Sequence, residues 1–407
     1  MLAYLLGAMF LAGFCMVANR LASTMLTAPM VFLGLGALMA YLDIVPTQGS
    51  EAALHLVAEV ALIILLFLDA AQIDGPALLR RRVWPVRMLL VVLPLGFLLG
   101  VAAGLMVLPE WPLAVIALVA AILVPTDAAL GQPVISNEAV PERTRRALTV
   151  ESGLNDGLAL PLILMLAAFA APQAMAPEIG WATFGLLQIT LGPLVGIALG
   201  GLAGAVLIRA KEVRATSTTY EGISAIALAT SAYLAATLIG GNGFISAFAA
   251  GLGFGAVVKG RCPFVYEFTE GEGQILSWTA FFLLGAVLVP DAVAHLTPAT
   301  LLLILISLFV VRPLAIWLSL LGTDADPKTR LFFGWFGPRG LATALFALLV
   351  VEQLDHNTGE DVLHLAVNAV WISAVLHGIS AAPGARLYAR FVEMPSGVSK
   401  PATKSVE

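Results

Sequence analysis

The chain has 407 residues, of which 60% are hydrophobic and only 12% charged, with a mean hydropathy of +0.96. A soluble domain carries about 25% charged residues, so a water-covered globular surface is excluded and a polytopic membrane protein is expected. The formal net charge of −5 decides little in a chain that faces lipid, whereas the placement of the charges decides much.

A helix needs about 20 residues to cross the hydrocarbon, and cutting the chain at polar and Gly/Pro clusters predicts thirteen such segments. Leu2–Val17 lacks a basic leader and reads as a retained first span instead of a signal peptide. Leu26–Leu42 follows, then Ala52–Ala70, which carries Glu59 and Asp69, and Val86–Val107. The fifth span, Pro112–Leu130, is interrupted at Pro125–Thr126–Asp127. The sixth, Ala147–Ala170, holds the string Glu151–Ser152–Gly153–Leu154–Asn155–Asp156. Trp181–Ile208, Tyr220–Ile239 and Phe244–Val258 come next, the last short enough to suit a re-entrant segment, and then Ile275–Val289. In Ala299–Leu320, Arg312 precedes Pro313 and could snorkel to the interface. Leu331–Val351 is broken at Gly337–Pro338–Arg339–Gly340, and Leu363–Ala382 is the last span. Residues 1–393 form one membrane domain, and 394–407 read as a short disordered tail.

With this count, one set of alternate loops receives nineteen of the 21 Lys and Arg residues and the other set none. The positive-inside rule then puts the N-terminus outside and the C-terminus in the cytoplasm. The first six and last six spans suit an inverted repeat joined by the seventh. Spans 5 and 12 would then be equivalent, and a matched pair of Gly/Pro-interrupted helices points to a midplane site.

Ionisable groups inside spans are functional candidates by default. Asp156 falls near mid-membrane, and Ser152, one turn earlier, shares its helix face. Together their oxygens can supply part of a dehydrated cation's shell. Asp127 and Thr126 stand at the span 5 break, where Thr126 and free carbonyls can coordinate a cation and Asp127 can compensate the exposed amides of the half-helix that follows. Glu151 points away from Asp156, and Arg339 is the deep cation left to pair with it; a buried pair is less costly than either charge alone. Asp69 or Glu59 can line an ion path, and Glu221 reads as a helix-end residue. Cys15 and Cys262 make no disulfide framework, the histidines show no ligand spacing, and no phosphate-binding loop is present. No cofactor, resident metal, nucleotide or nucleic-acid partner is therefore expected, and the chain is not read as an enzyme.

Pro125–Thr126–Asp127, the Glu151–Asp156 string and Gly334–Trp335–Phe336–Gly337–Pro338–Arg339–Gly340 resemble the monovalent cation:proton antiporters. The branch is the one with the NhaP-type bacterial exchangers and the eukaryotic sodium/proton exchangers, and the likeness runs over the whole chain. The resemblance implies a homodimer in a bacterial inner membrane, with a dimerisation part and a core of crossed discontinuous helices. It implies that Asp156 alternates between proton and cation, that Ser152 and the Thr126 region add oxygens, and that Glu151 pairs with Arg339. Asn155 stands where electrogenic relatives have a second aspartate, which implies electroneutral one-for-one exchange. Asp69 replaces a family glutamate, and Asp127–Ala128–Ala129 replaces Asp-Pro-Val. Sodium is the first cargo expected, with lithium and potassium open. A proton-coupled carrier of another small solute and an ion channel are the alternatives.

Overall fold

A computed structural model describes residues 2–21, 24–45, 50–73, 83–135, 137–171 and 181–392. The Arg80–Arg82 cluster, Glu178, and the tail with Lys400 and Lys404 lie outside the described residues. Every regular element described is helical. In chain order the helices are α1 (Leu2–Leu21), α2 (Ala28–Tyr41), α3 (Ser50–Ala71), α4 (Val83–Val107), α5 (Leu113–Leu123), α6 (Ala128–Ile135), α7 (Glu142–Ala170) and α8 (Trp181–Glu212). They continue as α9 (Thr218–Leu238), α10 (Gly243–Val258), α11 (Pro263–Val287), α12 (Val289–Ala294), α13 (Pro298–Ser319), α14 (Pro327–Trp335), α15 (Leu341–Val351) and α16 (His356–Val392). Seven of them are long and apolar enough to cross a membrane, and five shorter apolar helices of 10–17 residues accompany them.

Two packed units emerge from the helix pairings. In one, α10 lies between α8 and α3, and α11 packs on α2, α3 and α9. In the other, α4, α5, α6, α7, α13, α14, α15 and α16 pack among themselves. The first unit depends on small residues, because close backbone approach is a main source of helix association in lipid. A Cβ on Gly251 or Gly255 would run into the backbone carbonyls of Phe67 or Ala71 on α3. The units meet where α16 faces α2, where α15 faces α3 and α11, and where α7 faces α3 and α10. There Gly157 faces the Phe248 ring, and a Cβ on Gly153 would stand 3.4 Å from that of Asp69.

Two helices of the second unit carry one π turn each, Met88–Val92 in α4 and Ser307–Val311 in α13. Each turn ends two residues before a proline, Pro94 and Pro313. Proline has no N–H, and its ring clashes with the carbonyl four residues back. The wider turn takes up that clash without ending the helix.

One end of this unit is closed by a polar cluster. Arg143 makes a two-pronged bond to Asp324 and stacks over Trp84, whose indole N–H also reaches Asp324 at 2.8 Å. Arg87 donates to the carbonyls of Ser319 and Leu321, and the Tyr388 hydroxyl sits between those of Thr144 and Thr329.

The element Phe244–Val258, a possible re-entrant segment in the sequence, is one uninterrupted helix with most of its residues buried. The tenth apolar stretch was expected only from Ile275, but the helix begins at Pro263. Glu267, Glu270 and Glu272 hid its first turns, because charge lowers hydropathy without lowering helix propensity.

Candidate ion-binding site

Two helix interruptions meet in the middle of the second unit. Proline cannot continue α5 past Val124, and α14 gives way to Phe336–Gly340 before α15 begins. The two interrupting segments are joined directly: the Asp127 N–H donates to the Pro338 carbonyl at 2.9 Å. Each then caps the other's helix. Asp127 Oδ2 accepts the Leu341 N–H at 2.6 Å, placing a carboxylate at the start of α15. The Arg339 guanidinium donates to the Val124 and Pro125 carbonyls at 2.9 and 3.2 Å, placing a cation at the end of α5. Both charges have the sign that a helix terminus favours. Asp127 thus serves an amide at the start of α15, a different helix from the one that follows it in sequence.

Glycine is required where these segments cross. A Cβ on Gly340 would overlap the Asp127 carboxylate, and one on Gly337 would overlap the Arg312 guanidinium. The carbonyls ending α14 are covered as well: Arg312 reaches those of Phe333 and Phe336 at 3.3 and 3.5 Å, and His377 Nε2 lies 2.9 Å from that of Trp335. Ser373 accepts the Arg339 N–H at 2.7 Å.

Against this crossing lies the middle of α7. Asp156 is the central residue of that 29-residue helix, with fourteen residues on either side. It is about 21 Å from each end at 1.5 Å per residue. Thr126, Ser152, Asn155 and Asp156 are all buried. The Asn155 amide donates to Thr126 Oγ1 at 2.7 Å, and the Thr126 and Ser152 hydroxyls are 3.3 Å apart. Asp156 Oδ1 and Asn155 Oδ1 are buried acceptors without a hydrogen-bond partner among the described residues. A buried polar oxygen without a partner is costly, and four oxygens gathered from two hydroxyls, an amide and a carboxylate suit a dehydrated alkali cation. Asp69 and Asp127 are within electrostatic reach of Asp156, so three carboxylates repel one another here unless a cation or protons intervene. All six residues singled out for ion or proton binding therefore converge on one region.

The supporting pair differs from expectation. Glu151 is held by Arg312 in a two-pronged bond of 2.9 and 3.1 Å, both side chains being buried. Arg339, the expected partner, is occupied by the α5 carbonyls. Depth explains the exchange. From the end closed by Arg143 and Asp324, Glu151 is nine residues into α7 and Arg312 seven residues into α13. At 1.5 Å per residue those depths are about 13 and about 10 Å. The match aligns them, and Arg312, held on Glu151, does not snorkel to the interface. Of the other candidates, Glu59 accepts from the Tyr233 hydroxyl, and Glu221 is buried and pairs with Lys211 at 3.2 Å, away from the crossing. His377 and Ser373 were missed. Their signal was their place on the last apolar segment, four residues apart and so on one face.

Comparison with known proteins agrees with this architecture. The profile of the transmembrane sodium/hydrogen exchanger family matches residues 6–386. A K(+)/H(+) antiporter NhaP from Alkalimonas amylolytica is 28% identical over 96% of this chain and 67% of its own length. A K(+)/H(+) antiporter NhaP2 from Shewanella sp. (strain ANA-3) is 28% identical over 84% of this chain, and the match spans 58% of that relative. The sodium proton antiporter MjNhaP1 from Methanocaldococcus jannaschii, whose structure at pH 8 is known, shares the fold. The superposition has a TM-score of 0.78 with 21% identity, over 96% of this chain and 98% of that one. With the family match covering nearly its full length, the chain belongs to the transmembrane sodium/hydrogen exchanger family.

Proposed function

We propose that the chain is a secondary active antiporter exchanging a monovalent cation for protons, with Asp156 as the group for which the two compete. The observation that carries the reading is the buried Asp156 Oδ1, which lacks a hydrogen-bond partner among the described residues, at the centre of α7 and beside the Thr126, Ser152 and Asn155 oxygens. A bare carboxylate is expensive in this setting. Neutralised by a proton or by a cation it can change the side it faces; unloaded it cannot, and that asymmetry couples the two fluxes without leak. One-for-one exchange rests on the family resemblance, Asn155 standing where electrogenic relatives have a second aspartate. The Glu151–Arg312 pair and the Arg339 and Asp127 caps hold the surroundings rigid and take no part in binding.

The relatives named as potassium antiporters put K+ beside Na+, for which the family and MjNhaP1 are named, as the cargoes to test first. Thirteen crossings are the best account of the helices: the seven long spans, α1, α2, α10, α11, and the broken pairs α5–α6 and α14–α15. An inverted repeat is supported by the matched breaks and by the two π turns, which fall in α4 and α13, the helices preceding them. The N-terminus outside and the C-terminus in the cytoplasm follow from the loop charges, and Arg87 and Arg143 do gather with Asp324 at one end. We also assign the chain to a homodimer in the bacterial inner membrane.

The test is a pH-gradient assay in liposomes across Li+, Na+ and K+, with and without a membrane potential. Cation-dependent proton release, lost in Asp156→Asn and insensitive to the potential, is expected. Proton movement that depends on an organic solute, or sustained conductance without counter-transport, would overturn the reading.

A further inference from the structure

The histidines have no ligand spacing in the sequence, yet the fold brings two of them to one carboxylate. Asp291 on α12, His295 at its end and His364 on α16 offer ligand atoms that all lie within 4.8 Å of one another. Asp291 stands between the imidazoles, with Oδ1 3.3 Å from His295 Nδ1 and Oδ2 2.7 Å from His364 Nε2. The two rings are parallel, their centroids 4.6 Å apart. We propose that Asp291, His295 and His364 form a binding site for a zinc-class divalent cation, separate from the transport site.

The donor set carries the assignment. Two imidazole nitrogens and one carboxylate oxygen suit Zn2+, whereas Ca2+ and Mg2+ take all-oxygen shells. Bonds of about 2.0–2.1 Å at tetrahedral angles put ligand atoms about 3.3 Å apart. The spacings of 2.7 and 3.3 Å, each to a different Asp291 oxygen, lie below and at that value, and His295 Nδ1 also lies 3.0 Å from the Asp291 main-chain carbonyl. Rotation of the side chains, two of them largely exposed, closes the site. Water completes the coordination from the open side. The frame is already fixed: one turn along α16, Asn368 donates to the Ala292 carbonyl at 2.6 Å and accepts from the Trp371 indole at 2.7 Å. That bond pins α12 to α16 whether or not a metal is present.

The location gives the site a consequence. α12 is the connector by which the chain passes from α11 in the first unit to α13 in the second. A metal shared between α12 and α16 adds a second fastening to that connector.

The experiment is zinc titration of the purified full chain, freed of any histidine tag, by calorimetry and by thermal unfolding. The expected result is one equivalent of Zn2+ bound with a raised unfolding midpoint, and no shift with Mg2+. His295→Ala and His364→Ala should each weaken binding by about tenfold or more, since removing even an outer-shell partner costs that much. His356→Ala, which alters only the exposed pair with Glu360, should bind as the parent does. Metal-free midpoints close to the parent's would show that the exposed His295 variant is folded. The proposal is overturned if the parent gives neither heat nor shift with zinc, or if both variants bind as tightly as the parent.

Discussion

Replacing Arg312 by alanine tests the reassigned ion pair. The guanidinium is 4% exposed and its Glu151 partner 3%, so water cannot take the place of what is lost. Removing one partner of a buried pair strands the other charge and costs about 3–5 kcal/mol. Against a typical total of about 5–15 kcal/mol, that is at least about a fifth of the stability. Arg312 also holds the Phe333 and Phe336 carbonyls, which places the loss at the upper end. Arg339→Ala frees two carbonyls and leaves Glu151 paired, so its loss should be smaller. Thermal unfolding in detergent at one scan rate, followed by tryptophan fluorescence, ranks the two variants. The double variant Glu151→Leu with Arg312→Leu should be more stable than the worse of its two singles, because neither charge is then stranded. If Arg339→Ala is the more damaging change, or the double variant is the sum of its singles, the pairing described above is wrong.

Four further outcomes are expected. Asp156→Asn should abolish cation-dependent proton release in liposomes and leave the unfolding midpoint near the parent's. Ser152→Ala should raise the half-saturating cation concentration about fivefold, the equivalent of one hydrogen-bond-sized contact of about 1 kcal/mol, with transport at saturation retained. Gly340→Ala should impair transport and stability together, because its Cβ overlaps the Asp127 carboxylate; parent-like values for both would refute the close crossing. The hydrogen bond from Arg143 holds the Asp324 carboxyl below its ordinary range. A depressed folded value means that its small stabilisation is present at neutral pH and is lost as pH falls below about 4. The unfolding midpoints of the parent and Asp324→Asn should therefore differ at pH 7 and converge in acid.

Much of the site was legible because its signals are local. Proline at 125 and the Gly-Pro-Arg-Gly run mark the interruptions wherever they fall, and Ser152 and Asp156 share a face by helical spacing alone. The partner of Glu151 was not legible by elimination: Arg339 was the deepest cation left over, but its guanidinium is taken by the Val124 and Pro125 carbonyls, and Arg312, at matching depth on α13, reaches Glu151 instead. Asp291 and His364 are 73 positions apart, and no periodicity relates them. The first turns of α11 were hidden by glutamates that window-averaged hydropathy counts as loop, although a helix tolerates them.

Because Asp127 closes one interrupted helix and Arg339 the other, the two segments form a single mechanical piece. Pulling them apart would leave a carboxylate, a guanidinium and several main-chain groups uncompensated in an apolar interior at once. If Asp156 holds the ion as proposed, the ion is carried with the crossing and not released by opening it. What can give way is the seam where Gly153 and Gly157 of α7 meet Asp69 and Phe248, a smooth track of close packing. In this reading the cargo travels in an unbending block, and the glycines are its bearing surface.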